Sequence, residues 1–443
     1  MTLVFMSMFA VIFIALSGLV NRSYRETVLQ AHDELAFQIA EAGLNYARWR
    51  LAHEPENFSA ESKTVTDQFA GDLGTYDLTF DSPIEGGTIT VITAVGKTAS
   101  QPLREVTLRA RYGIPSLARY AYITNSDVRY AAVMRGPFHA NGGIRMDGTS
   151  DSIVQSAKTT YTCRPIHGCD NETKPGVWGT GEIQELWEFP VTAIDYNALT
   201  NDLATMKTIA QEATTYYGAS GAFGYQIVFN ADNTYALYRV TQKTSPVDSC
   251  DYNASGEFSC TSLSHDVQTM ALLETKPVPS GGVLFIEDNL WVRGEIRDRI
   301  TVAAGRFPDS PATHADIITN GNITYGGVKD GTRVFGAIAQ RNLLIPYSGA
   351  PDVFTLDGAF IAQKGKFGRR HYPSGSHRLK TSIDIYGMVA SNLVPGTTWT
   401  SGGTVVSGYQ EKVQSYDPNL LYNPPPYFPT TGQYEFISWE EEQ

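Results

Sequence analysis

Four cysteines, eight scattered histidines and one short run of cations are the reactive or charged groups of this chain that stand out first. The cysteines form two local pairs, Cys163 with Cys169 and Cys250 with Cys260, each enclosing a short polar loop that contains glycine. Neither pair has the Cys-x-x-Cys spacing of a zinc site or a convincing histidine pair beside it. Two local disulfides, formed outside the cytoplasm, are therefore expected, against four unrelated thiols as the alternative. His371 and His377 share a polar loop with no carboxylate close in sequence. Asp147-Gly148-Thr149-Ser150-Asp151 offers two carboxylates but lacks the ligand spacing and closing Glu of an EF-hand loop. No GxSxG, HExxH, P-loop or dinucleotide fingerprint occurs. Asp330, Asp352 and Asp357 are acids that a glycoside-cleaving enzyme would use from separate segments, yet Asp-Gly pairs are also ordinary turn residues. No catalytic site, cofactor or metal is expected.

The cation run stands out against an acidic chain. Lys364, Lys366, Arg369, Arg370, Arg378 and Lys380 fall within 364–380 with no acid among them, whereas the whole chain has a net charge of −12. Such a patch contacts an acidic neighbour, a polysaccharide or DNA, or is simply a solvated loop. The overall charge excludes nucleic acid as a main partner, which would need a broad basic face.

These residues must be positioned by a largely β scaffold. Forty Gly, 22 Pro and 24 Tyr in 443 residues point to short strands joined by tight turns, and 42% hydrophobic residues suffice for a real core. The N-terminus differs. Residues 3–20 carry no charge, and eighteen residues at about 1.5 Å each give roughly 27 Å, close to the hydrocarbon thickness of a bilayer. Helical periodicity then continues through Tyr24, Val28, Ala31, Leu35, Ile39, Ala42, Tyr46 and Trp49, spaced three and four apart, until Pro55. One helix of about 53 residues is predicted, apolar in its first half and amphipathic in its second. A cleaved signal peptide, with Ala15-Leu16-Ser17 as its cleavage site, and a simple membrane anchor are the alternatives, although no basic segment precedes the apolar run.

The amphipathic half contains Gln38-Ile39-Ala40-Glu41-Ala42-Gly43-Leu44-Asn45-Tyr46-Ala47. An apolar block flowing into this segment resembles the AEAG-type helix of type IV pilins and of pilin-like proteins related to minor pilins. The resemblance implies that a leader is removed just before the apolar block and that such helices pack in a filament core. Residue 1 is then the processed end, and Leu3, Phe5, Phe9, Ile12, Leu16 and Leu19 belong to the polymerisation helix. Phe5 stands where most major pilins have a Glu that pairs with a neighbour's N-terminal amine, so assembly here relies on apolar packing.

After a polar linker over 54–63, alternating segments at 75–80, 88–93 and 106–112 predict an antiparallel meander on the helix. Beyond residue 114 a Gly-apolar-small-polar unit recurs, in Gly136-Pro137-Phe138-His139-Ala140-Asn141 and again from Gly336, Gly358 and Gly387. The last three begin 22 and 29 residues apart, a plausible coil length for a β-helix or solenoid, with a β-sandwich as the alternative. The fold class is α+β: a pilin-type helix (1–54) with an antiparallel β-meander (64–113), then a mainly β, β-helix-like domain (114–157 and 277–410). A cysteine-containing subdomain (158–276), with a helix over 193–217 and a hairpin over 225–240, is inserted, and a Pro-rich tail (411–443) follows. Segments YDPNLL, PPPYFP and ISW of that tail resemble the ends of large pilin-like proteins. The implied role is a structural subunit of an extracellular filament, membrane-anchored before assembly. Its partners are copies of itself, the pilus assembly machinery and surface glycans. A minor or tip pilin with an adhesive role and a membrane-anchored β-helix enzyme acting on carbohydrate are the alternatives.

Overall fold

The computed structural model of the protein describes residues 2–101, 104–196, 198–253 and 256–442. A long N-terminal helix is followed by a large, mainly β part, an α+β arrangement. The chain forms two compact units: Met1–Ile84, Thr88–Pro115 and Gly432–Gln443, and Glu85–Gly87 with Ser116–Thr431.

In the smaller unit, helix α1 (Thr2–His53) runs unbroken because no proline interrupts it. Strands β1 (Glu61–Asp67), β2 (Gly71–Asp81), β3 (Thr90–Thr98) and β4 (Glu105–Gly113) form an antiparallel sheet in chain order. A fifth strand, Glu435–Glu442, pairs with β4, so the last residues of the expected tail complete this sheet. Leu78, Ala94 and Leu108 lie opposite one another on successive strands and face the second half of α1. Ile39, Ala40, Leu44, Ala47 and Leu51 of the helix are buried there, and Ala36 is buried against Gly96 of β3.

This face is rotated from the one the periodicity predicts. Of the expected stripe only Ile39 is buried, while Tyr24, Ala31 and Trp49 are exposed. Small residues explain the rotation. A Cβ on Gly96 of β3 would lie 2.1 Å from the Ala36 carbonyl and 2.6 Å from the Ala40 nitrogen, so helix and sheet backbones are in near contact. Aromatic side chains at that line would hold the helix off the sheet, and they lie at its flanks instead. The helix end is tied down by Arg50, which donates to Glu61 at 2.8 Å and to the Ser59 carbonyl at 2.7 Å and lies over the Phe80 ring. The expected linker thus already contains the start of β1.

The larger unit is dominated by parallel ladders. One runs in space through Tyr216–Tyr217, Gly282–Ile286, Arg299–Ala304, Val334–Ala339, Val353–Ala362 and Leu379–Ser391. It continues into Tyr122–Thr124, Phe138–Ala140, Val154–Ser156 and Trp187–Glu188. The stack is therefore permuted relative to the chain, since residues 389–391 pair with 122–124. The recurring Gly-apolar-small-polar unit now has a physical cause. Ala337, Phe360, Val389, Tyr122, Phe138 and Val154 form one column of core residues. Two positions on, Ala339, Ala362, Ser391, Thr124, Ala140 and Ser156 form a column of small residues, all buried. At the corner beyond, Asn141 donates to Asn125 and Asn125 to Asn392, both at 2.7 Å.

The stretch 158–276 is woven into these ladders rather than set apart, because Trp187–Glu188, Tyr216–Tyr217 and Tyr225–Phe229 all join them. Its helix α2 (Ala198–Glu212) is shorter than expected and buries Leu203, Met206 and Ala210. Its hairpin pairs Tyr225–Phe229 with Thr234–Lys243 around a turn at 230–233.

Candidate functional site

Two surfaces gather the sequence-predicted residues. The first is the N-terminal half of α1. Phe5, Phe9, Ile12, Leu16 and Leu19 are 50–69% exposed, and Met6, Met8, Val11, Phe13, Ile14 and Val20 are exposed beside them. The side chain of Leu3 lies outside the described residues. At 100° per residue these positions cover the whole circumference, so the surface is an apolar cylinder rather than a stripe. The helix is long and apolar enough to cross a membrane. The first acid on it is Glu26, which pairs with Arg22 at 3.0 Å.

The second surface was expected at 364–380, and here the structure corrects the sequence reading. Lys366, Arg369 and Lys380 are buried and do not belong to a displayed patch. Lys366 ion-pairs with Asp251, and burial pushes its ammonium below the usual lysine range. Arg369 is fully buried and donates to three carbonyls, those of Pro346, Tyr347 (3.0 Å) and His377 (2.6 Å). Lys380 binds the Ala350 carbonyl at 2.9 Å and Asp352 at 2.8 Å. Lys364 pairs with Asp309, which also meets His314 at 2.7 Å. Arg370 reaches Ser249 at 2.9 Å and Asp251 at 3.6 Å. The Arg378 guanidinium donates to the Pro373 carbonyl at 3.4 Å. The partners Asp251 and Asp309 lie far off in sequence, so no local pattern pointed to them.

The cysteines are joined as Cys163–Cys169 and Cys250–Cys260. The first bridge closes the turn Pro165–His167, beside Tyr161 and Trp178. Burial holds His167 in that turn down to about 4. In the second, the two cysteines face each other across the hairpin Val247–Tyr252 and Phe258–Leu263. That hairpin is stitched to the basic segment by two backbone hydrogen bonds between Cys250 and His371, of 2.8 and 3.0 Å.

The remaining candidate acids each hold structure. Asp147 accepts from Arg129 and Arg145 at 2.9 Å each, and Asp151 accepts from the Gly136 amide at 2.8 Å. Asp330 holds its own turn through the Thr332 amide at 3.0 Å. Asp357 takes Lys329 at 2.8 Å and the Tyr325 amide at 3.0 Å. Among the described residues no three His, Cys, Asp or Glu side chains converge as metal ligands.

No protein-family profile matches the chain, and no curated protein matches it in sequence. Among solved structures, the competence-associated pilin ComZ from Thermus thermophilus aligns over 93% of this chain and 98% of its own, with 12% identity and a TM-score of 0.31. At that score the likeness adds nothing to what this chain's own residues indicate.

Proposed function

We propose that this chain is a structural subunit of an extracellular type IV pilus-like filament. It polymerises through the N-terminal half of α1, is held in the membrane by that half before assembly, and displays the larger unit as its head. The observation that carries this reading is the split of a single helix. One half is apolar around its full circumference and buried against nothing, while the other half is sealed against a sheet of its own chain. Apolar surface on every side needs apolar surroundings on every side. Lipid supplies them before assembly, and neighbouring helices supply them in a filament core. On this reading the partners are other copies of the chain, the membrane assembly machinery and surface glycans.

The head reads as a β-helix, supported by columns of core and small residues on successive parallel strands. A minor or tip subunit is favoured by one feature: α1 carries no acid before Glu26, so no carboxylate near Phe5 can set register with a neighbour's amine.

The test is Ile12→Asp, scored by electron microscopy and by the amount of chain in sheared surface material. A charge in the core of a helix bundle or bilayer costs several kcal/mol, roughly 2.5 or more. Filaments should vanish while the head keeps its fold. Filaments at the native yield would overturn the proposal. The copy number of the chain in native filaments then separates a main subunit from a tip subunit.

A further inference from the structure

The larger unit holds a polar cleft of about 400 Å³ that polymerisation does not use. Its floor is the outer face of a parallel ladder, where Trp291, Ile318 and Leu344 stand in register on successive strands. Asn289, Asp316, Asn342 and Lys366, each just ahead of a paired position, line one edge. The disulfide hairpin contributes Asp251 and Leu263, with Lys243 and His265 beside it.

The charges in this cleft do not cancel. Arg341 is matched by Asp316 through two hydrogen bonds, of 2.8 and 2.5 Å. Lys366 and Arg370 share the single carboxylate of Asp251. Lys243 has no carboxylate partner among the described residues, and its ammonium lies 5.4 Å over the Phe223 ring. Two positive charges are left over, in a chain of net charge −12. Holding the hairpin to the ladder explains Lys366 and Asp251, a role already shared by the two Cys250–His371 backbone bonds. It does not explain Lys243 or the second cation on Asp251. Partly desolvated, unmatched cations in a concave site favour an incoming anion.

Asp251 and Lys366 also line a second pocket, of about 150 Å³. Its walls include Arg164 and the stacked rings of Tyr252 and Trp399, 5.9 Å apart. Aromatic faces beside polar groups suit the apolar face of a sugar ring.

We propose that the two pockets together bind an acidic oligosaccharide, with its anionic groups at Lys243 and Arg370 and a sugar ring against Tyr252 and Trp399. The proposal does not rest on the filament reading. An excess of two positive charges matches one or two uronate carboxylates and falls short of the extended basic track along which a run of phosphates is bound.

The test is calorimetric titration of the full chain in detergent with trigalacturonate, against neutral galactotriose and a short oligothymidylate. Trigalacturonate should bind, more weakly as salt rises, and the other two should not. Lys243→Gln, which breaks no ion pair, should weaken binding roughly tenfold with the fold intact. Arg370→Gln should do the same, and Trp399→Ala should weaken it without changing its salt dependence. Equal binding of galactotriose, tighter binding of the oligothymidylate, no binding of trigalacturonate, or full binding by the Lys243→Gln protein would each overturn the proposal.

Discussion

The two halves of α1 are one continuous helix with opposite fates, and the less apolar half is the one that is buried. Residues 36–51 turn a line of small and apolar side chains onto the sheet, and the backbones approach until Gly96 has no room for a Cβ. Residues 5–20 meet no sheet and present large side chains on every side. The contrast teaches that apolar content does not decide whether a helix is core or contact surface. The presence of a shape-matched partner in the same chain decides it. It follows that stability should depend on the second half and assembly on the first.

Substitutions placed in one half or the other put this division to the test. The largest effect is expected from Gly96→Leu, which drives a side chain into the backbone of α1 and should destabilise the smaller unit by roughly 3 kcal/mol or more. A melting temperature of that unit unchanged by this substitution would refute the close approach. Next, Leu44→Ala should cost about 2–4 kcal/mol by opening a cavity beneath the helix. Leu16→Ala should leave detergent stability within about 0.5 kcal/mol of the native chain while lowering filament yield. Equal losses of stability from both would erase the distinction between the halves. Arg50→Ala should cost about 2 kcal/mol, because it removes charge-assisted hydrogen bonds from the buried end of α1, and hydrogen exchange should rise first at 57–61.

The smallest effect is a pH dependence. Lys63 first, then Arg50, holds the Glu61 carboxyl below its usual range of about 4.5. Its contribution is therefore present above the unfolded value and is lost as pH falls through the lowered folded value. Acid melting of the native chain and of Glu61→Gln should converge there, and curves that stay parallel down to pH 2 would remove Glu61 from the account.

Much of the smaller unit was legible because its signals are local. The uncharged run, the helical spacing and the stop near Pro55 place α1 within a residue or two, and period-two alternation places β2 and β4. The buried face of α1 was not legible, since hydrophobicity draws the eye to Tyr46 and Trp49 while packing selects Ala36, Ala40 and Ala47. At 364–380 a count of charges suggested a displayed patch. Burial of Lys366, Arg369 and Lys380 depends on Asp251, Pro346 and Asp352, which one-dimensional spacing cannot bring near.

What repeats or persists locally was readable from residue order: a long helix without a break, alternating strands, and a recurring unit of core, small and polar positions. These follow from backbone periodicity and side-chain volume within a few residues. How segments distant in the chain meet was settled by the folded chain alone. It set residues 389–391 against 122–124 and brought the last strand beside β4. It also set two cations on the single carboxylate of Asp251. The reason is physical: which groups lose water together depends on distances in space, and sequence separation carries almost no information about them.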